Sequence, residues 1–198
     1  MSILAFNIWS MDGITVQDVG LQRYMTLEPK ILPKTGARYA GDRFHKSNIF
    51  IVERLINKMM SSGHKGKKHF MSSGHNTGKK SKIVKKVELA FKKIEQKLNK
   101  NPIEVFVKAV ENAAPREEVI SIEYGGARYP KAVEVAPQRR IDLALRYMTQ
   151  GAYGKCFNKK QSIEDALANE IIEAYKSSQN SNAISKKRDA ERQAASSK

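Results

Sequence analysis

Between Val119 and Arg146 the chain reads VISIEYGGARYPKAVEVAPQRRIDLALR, and this stretch limits the fold more strongly than any other. Ile120, Ile122 and Tyr124 alternate with Val119, Ser121 and Glu123, and Val133 and Val135 alternate with Ala132 and Glu134. Period-two patterning on both sides of Gly125-Gly126 predicts a β-hairpin over about 119–135. Pro137 then opens a helix that carries Arg139, Arg140 and Arg146. The tip, Gly125 to Lys131, holds Arg128, Tyr129 and Lys131, so a pliant backbone can approach phosphate while a ring offers a stacking face. Taken alone, an ordinary hairpin with a polar tip accounts for these residues better. Arg139 and Arg140 in the first turn of a helix oppose its dipole. That cost is easier to understand if an anion lies across the helix end.

Charge sets the expected partner. The 198 residues carry 36 basic and 20 acidic side chains, a net +16 and a pI near 9.9. Such a field attracts a polyanion. Membrane is disfavoured, because no apolar run approaches the roughly 20 residues a span needs. The opening MSILAFNIWSM lacks a basic start and is soon interrupted by Asp12, so no secretory signal is evident. Cys156 stands alone, which excludes an internal disulfide and makes the cytoplasm the default compartment. Residues 1–29 set Arg23 against Asp12, Asp18 and Glu28, a net −2, so the remainder carries +18. This first segment is expected to dock on the protein's own body or on a protein neighbour, not on phosphate.

Residues 30–47 mix Pro, Gly, cations and rings without helical period. An extended arm with Arg38, Tyr39, Arg43 and Phe44 interleaved suits nucleic acid, and a plain connector fits about as well. Ser47 or Asn48 is placed to cap a helix running to about Met60, with Glu53, Arg54, Asn57 and Lys58 facing away from its apolar side. SSGHKGKK at Ser61–Lys68 recurs as SSGHNTGKK at Ser72–Lys80, read as a flexible basic loop. The Gly74-x-x-x-Gly78-Lys79-Lys80-Ser81 run is one residue short of a P-loop. His64, His69 and His75 lack zinc-ligand spacing.

From about Lys82 to Leu98 the residues Ile83, Val84, Val87, Ala90, Phe91, Ile94 and Leu98 share one helical face, with Lys82, Lys86, Lys93 and Lys97 opposite. Glu88 and Glu95 are too few to pair with these cations, so phosphate contact is favoured over plain solvation. Asn101-Pro102-Ile103-Glu104 is a helix start in which Asn caps and Glu104 can reach back. Gly151 to Gln161 reads as a basic loop with Lys155, Lys159 and Lys160, and Ser162 caps the next helix. Residues 177–185 read as a polar turn. The C-terminal segment with Lys186, Lys187, Arg188 and Arg192 has little beyond Ile184 to hold it, and is expected to order fully only on a partner.

Five ordered blocks resemble one family, ribosomal protein seven of the small subunit. They are NTGKKSKIV (Asn76–Val84), NPIEVFVKAVENAAPRE (Asn101–Glu117), YGGARYPKAVEVAPQRR (Tyr124–Arg140), SIEDALANEIIEA (Ser162–Ala174) and SNAISKKRDAERQA (Ser181–Ala194). The opening and GARYAGDRFHKS are similar to archaeal and eukaryotic-cytosolic members. The resemblance implies a mainly α fold, a compact bundle of about six helices with one protruding β-hairpin. It divides the chain into an N-terminal extension (1–37), a helical RNA-binding core (38–180) and a basic C-terminal helix or tail (181–198).

It implies a structural role without catalysis or cofactor. Members bind the 3′ major domain of small-subunit ribosomal RNA, organise the subunit head, and set the hairpin near messenger and exit-site transfer RNA. They adjoin other ribosomal proteins, the S-eleven protein among them. Lys79 and Lys80, Arg139, Arg140 and Arg146, and Lys187 and Arg188 fall on the family's basic positions. Together with Arg38, Arg43, Lys82, Lys86, Lys93, Lys159 and Lys160 from the residue-level reading they form the candidate ribosomal RNA contacts. Gly125, Gly126, Arg128, Tyr129 and Lys131 form the candidate hairpin contact with transfer and messenger RNA. The competing reading is a free helical DNA-binding regulator, weakened because no helix-turn-helix pair stands out. An RNA-modifying enzyme would need a cofactor loop or a convergent acid/base set, and the sequence shows neither.

Overall fold

The computed structural model describes residues 3–31, 33–36, 38, 40–65, 68–69 and 74–198, with backbone alone at 68–69. Tyr39, Gly66, Lys67, Ser72, Ser73 and the His69 side chain, all named in the sequence reading, lie outside the described residues. Among the described residues there are six helices of nine residues or more: α2 (Ile51–Met59), α3 (Lys80–Leu98), α4 (Pro102–Ala113), α5 (Pro137–Cys156), α6 (Ile163–Tyr175) and α7 (Asn182–Ala195). A single turn, α1 (Val19–Gln22), precedes them. The expected hairpin is β3 (Glu117–Tyr124) paired antiparallel with β4 (Ala127–Glu134). The basic loop after α2 also contains a two-residue ladder, β1 (His64–Lys65) with β2 (Lys68–His69). No helix among the described residues is long and apolar enough to cross a membrane.

Helix α6 is the hub. It packs against α3, α4 and α5, and Ala166, Leu167, Ala168, Ile171, Ile172 and Ala174 are all buried. Small Ala residues let three neighbours approach one axis closely. Its start is fixed as the sequence predicts, with Ser162 Oγ accepting from Asp165 N at 3.2 Å. Helix α4 also begins as read: Asn101 Oδ1 accepts from Ile103 N at 3.0 Å, behind Pro102. The first segment docks on this body. Ala5, Trp9, Val16, Leu21 and Met25 join the core, and Glu111 Oε1 accepts the backbone N–H of Gln17 and Asp18.

Four expectations are corrected. First, α2 begins at Ile51 behind Phe50, with no side-chain cap, because Ser47 and Asn48 are used in a preceding 3₁₀ turn. Second, Glu53 and Arg54 do not face away; they are 1% and 4% exposed. Each has found partners from other elements. Glu53 Oε1 accepts from Thr35 N, Thr35 Oγ1 and Lys80 Nζ, and Arg54 bonds Asp142 and the Tyr24 carbonyl.

Third, α5 runs through Gly151 and Gly154 to Cys156, where a loop was expected. Glycine costs about 1 kcal/mol in a helix interior, but Gly151 is where other elements come closest. A Cβ there would stand 2.7 Å from Asn182 Cβ and 3.0 Å from Glu170 Cδ. Tertiary packing overrides propensity. Fourth, the C-terminal segment is docked. Ser181 caps α7, Ala183, Ile184 and Ala194 are buried, and Lys187 Nζ donates to the Asn112 carbonyl at 2.8 Å.

Candidate nucleic-acid interface

The C-terminal half of α2 and the middle of α5 lie side by side, each contributing cations to the seam. Lys58, Ser61, His64, Arg146, Thr149 and Gln150 line a cleft of about 230 Å³. His45, Lys46, Arg54, Asn57 and Asp142 border an adjoining one of about 210 Å³ that shares Lys58 and Ser61. Gln150 Nε2 donates to the His64 carbonyl at 3.0 Å and ties the short ladder to α5.

Asp142 is the carboxylate of this seam. It accepts from Lys46 Nζ at 3.0 Å and from Arg54 Nη2 at 3.1 Å. Burial pushes its carboxyl up, but the Lys46 hydrogen bond and the Arg54 charge outweigh burial and hold it below the usual range. Lys58 and Arg146 have no carboxylate of their own among the described residues. Burial pulls the Lys58 ammonium down, Asp142 partly restores it, and Arg146, Lys46 and Arg54 repel it further. Four cations therefore face one carboxylate in a partly desolvated cleft. An anion entering it meets an uncompensated field at short range.

The hairpin is the second part of the surface. Gly125 and Gly126 take φ of +58° and +81°, as a two-residue turn with both central residues left-handed requires. From Ile120 to Lys131 every residue is exposed on both faces of the ribbon. Tyr129 stands opposite Ile122 and is 58% exposed. Arg128 pairs with Glu123 at 3.4 Å, an exposed contact of little energetic weight. Lys131 stands opposite Ile120.

The root, in contrast, is pinned. Arg139 makes a two-pronged bond to Glu118 at 2.7 and 2.8 Å, and Arg140 bonds Asp18 at 2.8 Å and the Pro115 carbonyl at 3.2 Å. The anion inferred across the start of α5 is thus supplied by the protein's own Glu118 and Asp18. Burial raises the Asp18 pKa, and the Arg140 hydrogen bond and charge more than reverse it.

The other candidate contacts divide by partner. On α3, Lys86 is held by Glu164, Lys93 by Asp165 at 2.6 Å, and Lys97 by Asn169 at 2.7 Å. Three of the four lysines read as opposite the core are therefore engaged by α6. Lys80 is held by Glu53, and Lys187 by the Asn112 carbonyl, with burial pulling its ammonium down. Arg38, Lys79, Lys82, Arg146, Lys159 and Lys160 are exposed with no carboxylate partner among the described residues. Arg43 lies over the Phe44 ring at 5.2 Å, and Arg188 reaches the Ser177 carbonyl at 3.4 Å. Sequence reasoning missed Lys46, Arg54, Lys58, His64 and Gln150. Arg54 and Lys58 stand one helical turn apart, a weak signal, but nothing local links them to Arg146. Among the described residues no group of three or more His, Cys, Asp or Glu could hold a metal ion.

A helical body with cations gathered in one cleft and an exposed hairpin with a basic tip defines a class: a scaffold protein whose surface complements a polyanion. Residues 21–198 match the family model of ribosomal protein S7p/S5e. The chain belongs to that family, whose members are structural and not enzymes. It is 50% identical to a small ribosomal subunit protein uS7 of Nanoarchaeum equitans, over the full length of both chains. It is 43% identical to the protein of the same name from Methanothermobacter thermautotrophicus, covering 96% of each chain. The Archaeoglobus fulgidus protein of that name is also 43% identical, over 99% of this chain and 95% of that one.

Proposed function

We propose that this protein is a structural constituent of the small ribosomal subunit, acting with ribosomal RNA and neighbouring ribosomal proteins in the cytoplasm. The finer reading is that it binds the 3′ major domain and organises the subunit head. The hairpin then sits beside messenger and exit-site transfer RNA, with the S-eleven protein as a neighbour. The observation that carries this is the α2–α5 cleft, where Lys58 and Arg146 lie together with no carboxylate of their own among the described residues. A phosphate seated there removes cation–cation repulsion and releases counterions from the RNA. Shape is read in preference to sequence, because the deep groove of A-form RNA excludes side chains.

Filter binding to transcribed 3′-major-domain RNA and to length-matched duplex DNA, each across a salt series, tests it. The expected outcome is tight, steeply salt-dependent RNA binding that survives excess DNA. Lys58→Ala and Arg146→Ala should each flatten the salt slope by about 1. Equal affinity for RNA and DNA would overturn the reading.

A further inference from the structure

A second concave surface lies where the N-terminal segment and the arm meet the start of α3. Phe6, Ile31 and Val84 form the apolar part of a groove of about 510 Å³, edged by Lys34, Lys80 and Lys85. Ile31 is 59% exposed, and Leu89, one turn beyond Lys85 on α3, is 45% exposed. The floor is rigid. The Phe6 ring meets Trp9 edge-on at 5.8 Å and Phe91 at 6.3 Å, and Trp9 Nε1 donates to Glu95 at 3.0 Å. Phe6 and Val84 also pack against the core, but Ile31 does not, and turning it away would cost the core nothing.

The charge of the rim identifies the occupant. Lys34 and Lys85 are exposed and have no carboxylate partner among the described residues. Glu88, the carboxylate lining the groove, is taken by Lys92 at 2.7 Å. A nucleotide is a poor fit, because its base edge would lie unpaired against carbon. An acidic peptide places carbon on carbon and carboxylates on ammonium groups. We infer that this groove docks an acidic protein segment, which seats an apolar side chain between Phe6, Ile31 and Val84 and sets carboxylates against Lys34 and Lys85.

The test uses the full chain and a fluorescein-labelled peptide, EDELFEDE, read by anisotropy at near-physiological salt. A charge-matched peptide with Ser-Ser in place of Leu-Phe, and the variants Ile31→Asp, Lys85→Glu and the remote Lys160→Glu, complete it. Ile31 and Lys85 are exposed, so both variants should fold as the parent does. The expected result is about tenfold weaker binding for Ile31→Asp, for Lys85→Glu and for the Ser-Ser peptide, with under about twofold for Lys160→Glu. Equal losses in Lys85→Glu and Lys160→Glu, or equal affinity for the two peptides, would reduce the binding to net charge and overturn the inference. Methyl NMR adds an independent outcome. Ile31 and Val84 methyls should shift with the peptide; if a single-stranded oligouridylate shifts them and the peptide does not, the occupant is nucleic acid and the inference fails.

Discussion

Two glycines one turn apart on α5 should respond to the same substitution with opposite signs. Gly151 is buried, and an added Cβ would stand 2.7 Å from Asn182 Cβ, 3.0 Å from Glu170 Cδ and 3.1 Å from Glu170 Oε1. Gly154 is exposed and meets nothing within 4 Å. Alanine at either position gains about 1 kcal/mol of helix propensity. At Gly154 that gain stands alone, so Gly154→Ala should stabilise by roughly 0.5–1 kcal/mol. At Gly151 the methyl group must displace Glu170, a fully buried carboxylate with little freedom. Glu170 accepts from Ser181 Oγ at 2.8 Å, Ala183 N at 3.1 Å and Lys155 Nζ at 2.7 Å. Overpacking costs about 1–3 kcal/mol, and loosening one of these buried bonds adds about 1–3 kcal/mol. The net expectation for Gly151→Ala, after the propensity gain is set against these costs, is a loss of about 1–5 kcal/mol. Urea denaturation of both variants decides it, with an unchanged m-value showing that stability alone has moved. If Gly151→Ala stabilises as Gly154→Ala does, the close approach of α5 to α6 and α7 is wrong.

Asp142→Asn should cost about 3–5 kcal/mol, since it strands the buried Arg54. The Asp142 carboxyl is held below its unfolded value, so its contribution is complete above about pH 4 and is lost as pH falls through the folded pKa. Acid titrations followed by circular dichroism should show that loss in the parent and its absence in Asp142→Asn. Ser181→Ala removes a helix cap and a buried bond to Glu170, and should lower stability by about 1–3 kcal/mol in the same denaturation assay. Tyr129→Ala should leave stability within about 0.5 kcal/mol, because its ring is exposed on the ribbon. A large destabilisation would mean the hairpin is packed and not projecting.

Local chemistry was the legible part of the sequence. Asn101 and Ser162 cap helices by reaching two or three residues along the chain, and Gly125-Gly126 turns a hairpin through its own backbone freedom. Each is decided within a few residues. What stayed hidden depends on partners far along the chain. Glu53 and Arg54 look like outward charges until Thr35, Lys80 and Asp142 are brought around them. The α3 lysines look free because Glu164 and Asp165 lie more than seventy residues away. Gly151 looks like a breaker because its reason for being glycine is a different helix. The candidate interface was legible to the same degree. Arg146 stood out, whereas Lys58, its neighbour across the cleft, reads locally as one more surface lysine.

The hairpin root has a consequence for the chain's two ends. Asp18, near one end, holds Arg140 at the start of α5. At the other end, the Ser197 carbonyl accepts from Ala132 N at 3.3 Å, Glu191 accepts from Arg116 N at 3.0 Å, and Lys198 reaches Glu117 at 2.8 Å. The ribbon is therefore a cantilever, free along its outer half and gripped at its base by both termini. A sideways load at Tyr129 is borne by the last few residues of the chain and by Asp18, so trimming either end should soften the arm without touching its tip.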